Sequence, residues 1–283
     1  MKIAYFIMVH NNFPQLCWLM NAIYSDDDLF IIHIDKKSSP SFFNQVHEYV
    51  NGRPNIEFLP SHKVNRFGWS VVKTELRAIR ALVSSKREWK YLINLSAQDY
   101  PIKSIDTIKT KLSLEFPKNF VEVIPRDEMA KGDPHLERRL AFEMFRNVVR
   151  TPEWLPFPKM ADIKFKGSQW FMLTRDFCEW LLSNRLTAQI EATVKHWWTP
   201  DELFFQALVM NSPYRNTLTE HYGREIIWPG GTASPKTLTM EDYGRLSDST
   251  ALFARKFDQA VDRQILVSLA CDHSYQVPPT RDN

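Results

Sequence analysis

Three clusters of polar side chains stand directly after apolar runs of strand length. They are His10-Asn11-Asn12, the run from Asp35 to Ser38, and the run from Ser96 to Pro101. Ligands of open α/β sheets bind beyond the carboxyl ends of the strands, so these clusters are candidates for a binding site. Polar residues also end strands and cap helices whatever the function. Three such clusters in succession favour a site over ordinary turn chemistry.

A carboxylate stands close to two tryptophans near the start of a predicted helix. Thr199, Pro200 and Glu202 have the spacing of a capping box, and the spacing alone favours that interpretation. In the functional interpretation, Glu202 projects into a cleft walled by Trp197 and Trp198, as suits a general base acting beside a sugar ring. The two interpretations are compatible, because one carboxylate can cap a helix in the resting protein and accept a proton from a bound substrate.

The chain lacks the common glycine loops for phosphate. Its eight glycines form neither GxGxxG nor a P-loop, and HExxH and GxSxG are also absent. Side chains would therefore have to hold a diphosphate, and the basic stretches around Lys236 and Lys256 are candidates, since lysine can neutralise a departing diphosphate without a metal. A lone surface lysine is ordinarily only solvated. The one DxD pattern lies within the run from Asp26 to Asp28, where we expect a solvated turn and no metal site.

Apolar runs and amphipathic segments alternate through the first half of the chain. The predicted strands are Ile3–Val9, Leu29–Ile34, Ile56–Leu59, Tyr91–Leu95 and Phe120–Ile124. Continuous apolar runs, in place of strict alternation, indicate strands that are covered on both faces. With helices between them, they predict an α/β fold with a mostly parallel central sheet in an αβα sandwich.

The segment that follows Ser70 is predicted to be one of these helices. Its apolar stripe consists of Val72, Leu76, Ile79 and Val83. The side chains expected to turn away from the stripe are Lys73, Glu75 and Arg77. Two later segments, from Pro125 to Arg139 and from Pro152 to Lys166, break the regular pattern. We expect them to be loops around a cleft.

Composition narrows the class of protein. The 283 residues are 44% apolar and 24% charged, which is typical of a folded globular chain. No apolar run approaches the ~20 residues that a membrane-spanning helix needs. Cys17, Cys178 and Cys271 form no CxxC pair, so we predict neither a disulfide framework nor a zinc site, and a reducing compartment is favoured. The net charge of +3 is spread along the chain and does not suggest nucleic acid as a partner.

Seven motifs in order along the chain resemble those of one enzyme family. They are Met8–His10, His33–Ser38, Phe67–Ser70, Leu95–Lys103, Lys166–Phe171, Thr199–Glu202 and Phe253–Phe257. Together they resemble the core-2/I-branching β-1,6-N-acetylglucosaminyltransferase family, glycosyltransferase family 14, which includes peptide O-xylosyltransferases. The resemblance implies a GT-A-type fold with a Rossmann-like core and inverting transfer from a UDP-sugar to a glycan hydroxyl. It also implies that neither a cofactor nor a divalent metal is required.

The resemblance also assigns roles to individual residues. Glu202 would be the catalytic general base that deprotonates the acceptor hydroxyl. The residues implied to bind the UDP-sugar are Met8, His10, Asp35, Trp69, Asp99, Lys236, Arg255 and Lys256. The residues implied to bind the acceptor are Glu122, Arg138, Gln169, Trp170, Trp198 and Trp228.

The sequence departs from the family pattern in several ways. Ala97 replaces a common glycine, and we expect neither the disulfides nor the membrane anchor of the animal enzymes. We therefore expect a soluble member of bacterial type, in the cytoplasm or at the inner face of the cytoplasmic membrane. The expected partners are a UDP-sugar, with N-acetylglucosamine, xylose and glucuronic acid all open, and a glycan or lipid-linked glycan of surface polysaccharide assembly.

We expect one domain over residues 1–276, followed by a disordered tail over 277–283. Residues 1–124 would form the half that binds the nucleotide sugar, and residues 125–276 the acceptor and catalytic half. An alternative is a sugar or nucleotide-sugar binding protein that kept the fold and lost the catalytic activity. The intact motifs Thr199–Glu202 (TPDE) and Ala254–Phe257 (ARKF) argue against this alternative. A third hypothesis, a single-stranded nucleic-acid binder with nine tryptophans, conflicts with the mixed charges.

Overall fold

The apolar runs form a six-stranded central sheet in the computed structural model, which describes residues 1–129, 140–144, 147–151, 163–229 and 234–279. The strands within these ranges are β1 Ile3–Val9, β2 Leu29–Ile34, β3 Ile56–Phe58, β4 Tyr91–Ser96, β5 Asp99–Pro101, β6 Phe120–Val121, β7 Ile124–Pro125, β8 Ala141–Met144, β9 Asn147–Arg150, β10 Phe165–Lys166, β11 Phe171–Thr174, β12 Arg224–Ile226 and β13 Phe253–Arg255. The central sheet has the order β3-β2-β1-β4-β11-β6. Its first four strands are parallel, whereas β11 runs antiparallel to both of its neighbours.

Helices cover both faces of this sheet. Within the described residues they are α1 Phe13–Ile23, α2 Pro40–Val50, α3 Trp69–Ser84, α4 Ile105–Glu115, α5 Arg175–Ser183, α6 Arg185–Val194, α7 Phe204–Met210, α8 Tyr243–Asp248 and α9 Arg263–Asp272. Tyr5 and Ile7 of β1 join the core formed with α1, α2, α4 and α9. Ala4 and Phe6 join the opposite core, formed with α3, α5, α6 and α7. Burial on both faces explains the unbroken apolar runs, and the predicted α/β class with a mostly parallel sheet is confirmed.

Most of the predicted strands are confirmed, with local differences at their ends. The first two have the predicted bounds, the third ends one residue early at Phe58 and the fourth extends to Ser96. The predicted strand from Phe120 to Ile124 is wrong as one unit. Its first two residues pair with β11, while β7 leaves the sheet to pair with β10. The sequence prediction also missed β11, a run of four residues too short to stand out.

The helix predicted after Ser70 is confirmed as α3. Its stripe residues Val72, Leu76 and Ile79 are buried against the sheet. The expectation that Glu75 turns away from the core is wrong, because its side chain is only 1% exposed. Lys73 is exposed as predicted, whereas Glu75 is covered by other parts of the chain.

Three smaller pairings surround the carboxyl edge of the central sheet. One is the sheet β12-β13-β5, in which the antiparallel register places Arg255 opposite Asp99. The second is the pair β10-β7, and the third is the antiparallel pair β8-β9. These pairings bring the second half of the chain back over the ends of β1, β2 and β4.

The DxD pattern includes a structural carboxylate. Asp26 and Asp27 are exposed, as predicted, but Asp28 is fully buried. Its carboxylate accepts the backbone N–H of Ile3 over 2.8 Å and pairs with Lys109 over 2.7 Å. The expectation of a solvated turn is therefore wrong for Asp28, which anchors the start of β1.

The end of the described chain is attached to the last helix. Pro278 is buried, and its carbonyl accepts a hydrogen bond from Arg263 over 3.1 Å. Residues 280–283 lie outside the described residues, so the predicted tail stays a prediction there. Among the described residues, none of the helices combines the length and apolar character needed to span a membrane.

Candidate functional site

The carboxyl ends of β1 and β2 meet as predicted. The backbone N–H of Asp35 donates to the carbonyl of Val9 over 2.9 Å, and the Ser38 hydroxyl donates to the carbonyl of His10 over 2.8 Å. The Asp35 carboxylate accepts the N–H of Lys37 over 2.8 Å and that of Val64 over 3.3 Å. The structure thus places His10 and Asp35 together at one edge, with a fixed carboxylate.

Met8 and Asp99 lie at the same edge through β4. Met8 pairs in register with Ser96, whose N–H and hydroxyl both donate to Asp99 Oδ2, over 2.8 and 2.6 Å. Asp99 is fully buried, and its Oδ2 lies 4.0 Å from Arg255 Nη1. The Ser96–Pro101 cluster thus forms a turn closed by Asp99, and the carboxylate of Asp99 faces Arg255 from the second half of the chain.

Two arginines fill the space beside Asp99. The Arg255 guanidinium carbon lies 3.9 Å from the ring centre of Trp170, a cation–π arrangement. Arg224 is buried and donates to the carbonyl of Asn94 over 2.7 Å. Burial lowers the pKa of Arg224 to about 10 and also lowers that of Arg255, while Asp99 opposes both shifts. No sequence pattern pointed to Arg224, whose position comes only from the pairing of β12 with β13.

The two predicted lysines lie on adjacent chain segments. The backbone N–H of Lys256 donates to the carbonyl of Lys236 over 3.5 Å. Lys236 Nζ pairs with Asp242 over 2.8 Å and lies 3.9 Å from Glu241, so its charge is already partly compensated. Lys256 is half-buried, and its ammonium group forms no ion pair within the part of the chain that the structure describes. Of the two, Lys256 is better placed to meet an added anion.

Arg66 is a basic residue that the sequence analysis did not single out. Its guanidinium donates to the Ser234 hydroxyl over 3.2 Å and lies 4.6 Å from the ring centre of Phe67. Its charge acts on Arg255 and on Asp201 alike. Arg66 therefore stands between the arginine side of the site and the turn that carries Glu202.

Glu202 closes a short 3₁₀ turn, Pro200–Glu202, just before α7. The predicted capping box is wrong: Thr199 has left-handed backbone angles (φ 49°), and its hydroxyl donates to the carbonyl of Trp198 instead of capping a helix. Thr199 also donates its backbone N–H to the carbonyl of Phe67 over 3.2 Å. Non-glycine residues with positive φ are strained and concentrate at functional sites. Glu202 is half-buried at the end of this constrained turn.

A glycine brings Glu122 close to Glu202. The N–H of Gly167 donates to the carbonyl of Glu202 over 2.9 Å, and a Cβ at Gly167 would collide with the carbonyl of Glu122. The two carboxylates interact electrostatically. Burial raises the pKa of Glu122, as does the Glu202 charge, while Lys166 and the Ser168 backbone oppose the shift. The structure therefore brings the predicted base and the predicted acceptor carboxylate together.

The side chain of Asn94 connects three parts of the site. Its Nδ2 donates to Glu75 over 3.2 Å and to the carbonyl of Gln169 over 2.9 Å, while its Oδ1 accepts the N–H of Phe171. Gln169 Nε2 lies 3.4 Å from the same Glu75 carboxyl oxygen. Gln169 thus contacts the buried interior of the site through Glu75. This is the residue that was predicted to turn away from the apolar stripe of its helix.

The predicted aromatic walls are only partly confirmed. Trp198 is half-buried and stacks on Phe67 with ring centres 4.5 Å apart. The guanidinium carbon of Arg150 lies 4.7 Å from the ring centre of Trp198. Trp197 is 6% exposed and belongs to the core, so its predicted place in the cleft wall is wrong. Trp69, at the start of α3, packs edge-on against Phe204.

Glu143 of β8 supplies the missing cap of α3. The helix begins after Gly68, which has no side chain to cap it. Glu143 accepts the N–H of Ser70 over 2.5 Å and the side-chain amide of Asn65 over 3.0 Å. A side chain at Gly68 would collide with this carboxylate. The pair β8-β9 is thereby attached to the helix that carries Glu75.

Of the two remaining acceptor candidates, the structure describes only Trp228. Trp228 is 56% exposed in the segment after β12, and Arg138 lies outside the described residues. Tyr222, which was not predicted, interacts with Glu122 and hydrogen-bonds Ser168. Burial raises the pKa of Tyr222 and the Glu122 charge raises it further, while the hydrogen bond with Ser168 opposes the shift.

The site combines carboxylates at one end with cations at the other. The segment 167–170 connects them. The backbone N–H of Gly167 donates to the carbonyl of Glu202, and the ring of Trp170 stacks on the guanidinium of Arg255. Such a pairing is suited to deprotonating a hydroxyl while stabilising a negatively charged leaving group. Among the residues that the structure describes, no three histidine, cysteine, aspartate or glutamate side chains are grouped as for a metal ion.

The fold and this site define an α/β protein whose candidate ligand site lies at the carboxyl edge of a mostly parallel sheet. A model of the family described as "Core-2/I-Branching enzyme" matches residues 3–247. The chain therefore belongs to this family, glycosyltransferase family 14, and the predicted resemblance is confirmed.

Among curated proteins, the chain is similar to animal xylosyltransferases. It is 30% identical to xylosyltransferase 2 of Homo sapiens over 289 residues, which cover 94% of this chain and 33% of that protein. It is 28% identical to a xylosyltransferase of Ciona intestinalis, again over 94% of this chain and 33% of that protein. The chain thus spans about a third of the length of these relatives.

Solved glycosyltransferase structures show a more distant similarity. A galactosyltransferase, LgtC, solved with donor and acceptor sugar analogs, is 11% identical over 99% of this chain and 98% of that chain, with a TM-score of 0.45. TarS 1–349 of S. aureus is 12% identical over 97% of this chain and 73% of that chain, with a TM-score of 0.44.

Proposed function

We propose that this protein is an inverting, metal-independent glycosyltransferase that moves a sugar from a UDP-sugar to a glycan hydroxyl and forms a β-linkage. The observation that carries the proposal is the segment 167–170, which links Glu202 to the Arg255 side of the site. One short segment can thereby hold the base and the cations at opposite ends of a sugar. Membership of the family supports the same reaction class.

In this reaction, Glu202 removes the proton from the acceptor hydroxyl. The hydroxyl oxygen forms a bond to the anomeric carbon while the bond from that carbon to the UDP oxygen breaks on the opposite face, so the configuration inverts. General-base assistance of this kind is typically worth ~10²–10⁴-fold. Lys256 and Arg255 neutralise the charge that develops on the departing diphosphate, with Lys236 and Arg66 nearby. Asp35, His10 and Met8 line the edge where the uridine would lie.

Thermal unfolding with UDP, ADP and GDP, each with EDTA or with Mn²⁺, tests the donor site without an acceptor. A ligand at ~100 times its dissociation constant stabilises the folded state by ~2.7 kcal/mol, so specific binding raises the melting temperature by several degrees. We expect a shift with UDP that EDTA leaves intact. A shift that requires Mn²⁺ would contradict metal independence.

Transfer is then tested with UDP-xylose, UDP-N-acetylglucosamine and UDP-glucuronic acid on short glycan acceptors. The names of the relatives make UDP-xylose the first donor to try. The anomeric configuration of the product, read by NMR, decides between inversion and retention. Persistent binding of UDP-sugars without product across the panel would instead support the binding-protein alternative.

A further inference from the structure

Two buried carboxyl groups lie at the turn that carries Glu202: Asp201 belongs to the turn, and Glu75 belongs to the helix packed against it. Glu75 of α3 is 1% exposed and Asp201 is 8% exposed. α3 packs against the Pro200–Glu202 turn, and the two carboxyl groups interact electrostatically. Within the described residues, no basic side chain pairs with Glu75. An ionised carboxylate without a cation is costly to bury.

The hydrogen bonds of Glu75 are divided unequally between its two oxygens. Oε1 accepts from the side-chain amides of Asn94 and Gln169, over 3.2 and 3.4 Å. Oε2 is buried and has no partner in the described structure, and the same holds for Asp201 Oδ1. A proton on Glu75 would remove the buried charge and turn Oε2 into a donor beside another carboxyl group.

We propose that Glu75 is a positioning residue that stays protonated at neutral pH and, as a neutral acid, fixes Gln169 and the Pro200–Glu202 turn against the central sheet. The protonation stands on burial and on the lack of a basic partner among the described residues, and it does not depend on the proposed function. The positioning role rests on the proposed function, because it takes Glu202 as the base. A neutral Glu75 also adds no negative charge behind Glu202.

Burial and the charge of Asp201 both favour the neutral form of Glu75. Burial raises the pKa of Glu75 well above its usual value, and Asp201 raises it further, while the hydrogen bonds from Gln169 and Asn94 only partly oppose the shift. Burial raises the pKa of Asp201 to about 7; Glu202 adds to the shift and Arg66 opposes it. The direction of this shift agrees with the burial of Glu75 and with its unpartnered Oε2, which favour the protonated form.

Glutamine is a close mimic of a protonated glutamate. In Glu75→Gln, Oε1 keeps both accepted hydrogen bonds and the amide nitrogen supplies the donor that a proton supplies on Oε2. Glu75→Ala removes these contacts, and Glu75→Asp withdraws the carboxyl group by one methylene. Glu57→Gln is the matched control, because Glu57 is exposed on the edge strand β3.

The first measurement is infrared difference spectroscopy of the purified chain at pH 7, in H₂O and D₂O. We expect Glu75→Gln to lose the carbonyl band of one protonated carboxyl group, and Glu57→Gln to lose none. Because Asp201 interacts with Glu75, the Glu75→Gln difference is also recorded in the Asp201→Asn background, where Asp201 contributes no carboxyl band. An unchanged band in Glu75→Gln would show that Glu75 is ionised and would overturn the proposal.

The second measurement is transfer kinetics. We expect Glu75→Gln to keep kcat within about threefold of wild type, and Glu75→Ala to lose about tenfold or more with little change in KM for the donor. Equal losses in both variants would contradict a neutral positioning acid. Should Glu75→Ala fail to fold, Glu75→Asp takes its place.

The two measurements separate this inference from the proposed function. If the wild-type protein transfers no sugar, the infrared band still decides whether Glu75 holds a proton. The melting temperatures of Glu75→Gln and Glu75→Ala then decide whether its hydrogen bonds hold this part of the fold. Equal melting temperatures would overturn the positioning role.

Discussion

The backbone amide of Gly167 donates a hydrogen bond to the carbonyl of Glu202 over 2.9 Å, while the same glycine lies directly against the carbonyl of Glu122. The glycine is needed for close approach, since any side chain would occupy the space of that carbonyl. The separation of the two carboxylates is therefore set by the backbone and not by the side chains alone.

Gly167→Ala should lower both stability and activity. The added methyl group forces the backbone at Glu122 to move, at a cost of about 1–3 kcal/mol for overpacking of this kind. Urea unfolding and the rate of sugar transfer measure the two effects. Gly244→Ala is the control, because Gly244 lies exposed in α8 with open space around the added methyl group. Wild-type stability and rate in the Gly167→Ala variant would show that the close approach is dispensable.

Glu202→Gln should fold normally and lose transfer activity by about 10²–10⁴-fold, because glutamine matches the shape of glutamate but accepts no proton. Melting temperature and UDP binding should stay near wild type. The matched control is Glu48→Gln, at an exposed position of α2 on the far side of the sheet from α3. Retention of more than a tenth of the activity by Glu202→Gln would remove Glu202 from the role of base.

Lys256→Ala should weaken the binding of UDP by about 10–100-fold, the range for loss of a hydrogen bond to a charged group. Lys236→Ala should have a smaller effect, because Asp242 already engages its ammonium group. Isothermal titration calorimetry measures both. Lys86→Ala, at an exposed position near the amino end of β4, should bind UDP like wild type. A larger loss in Lys236→Ala than in Lys256→Ala would reverse this order.

Asp201 should make the protein less stable as the pH rises. Its pKa is about 7 in the folded state, against 3.8 for an unperturbed aspartate. Between these values the unfolded chain binds fewer protons, so the free energy of unfolding falls with rising pH, by at most about 1.4 kcal/mol per pH unit. Asp201→Asn removes this dependence.

Urea unfolding at intervals from pH 4.5 to 7.5 measures the effect as the difference between wild type and Asp201→Asn. The variant should gain stability relative to wild type as the pH rises. Subtracting the two curves removes the opposite contribution of His33, whose pKa burial lowers to about 4. Parallel curves would show that Asp201 has the same pKa in the folded and unfolded states.

The parallel part of the fold was predictable because its strands are buried on both faces. Such strands consist of unbroken runs of apolar residues, which are visible in the sequence. β1 and β2 accordingly have the predicted bounds. The antiparallel β11 and the small sheet that holds Arg255 were not predictable in this way. Their strands are short, and what fixes them is pairing with residues far away in the chain, such as Asp99 opposite Arg255.

The site was predicted in its residue types more than in its contacts. Glu202 and Glu122, which the resemblance assigned to the base and to the acceptor site, interact electrostatically, but the capping box was wrong because Thr199 adopts left-handed backbone angles. Glu75 was misplaced because it was grouped with the charged residues of the helix, although it lies three residues after Val72 and four before Ile79, beside the apolar stripe. Its contacts with Asn94 and Gln169 show that this flank of the stripe is interior.

The Ser70 amide ties α3 to β8 through the Glu143 carboxylate. An amide at the first turn of a helix normally exchanges its hydrogen with solvent quickly, because no carbonyl of the helix accepts it. Here, exchange at Ser70 must wait until β8 separates from the helix. The rate of hydrogen–deuterium exchange at the Ser70 amide therefore reports how often β8 separates from the helix that carries Glu75. The measurement needs neither a substrate nor a label.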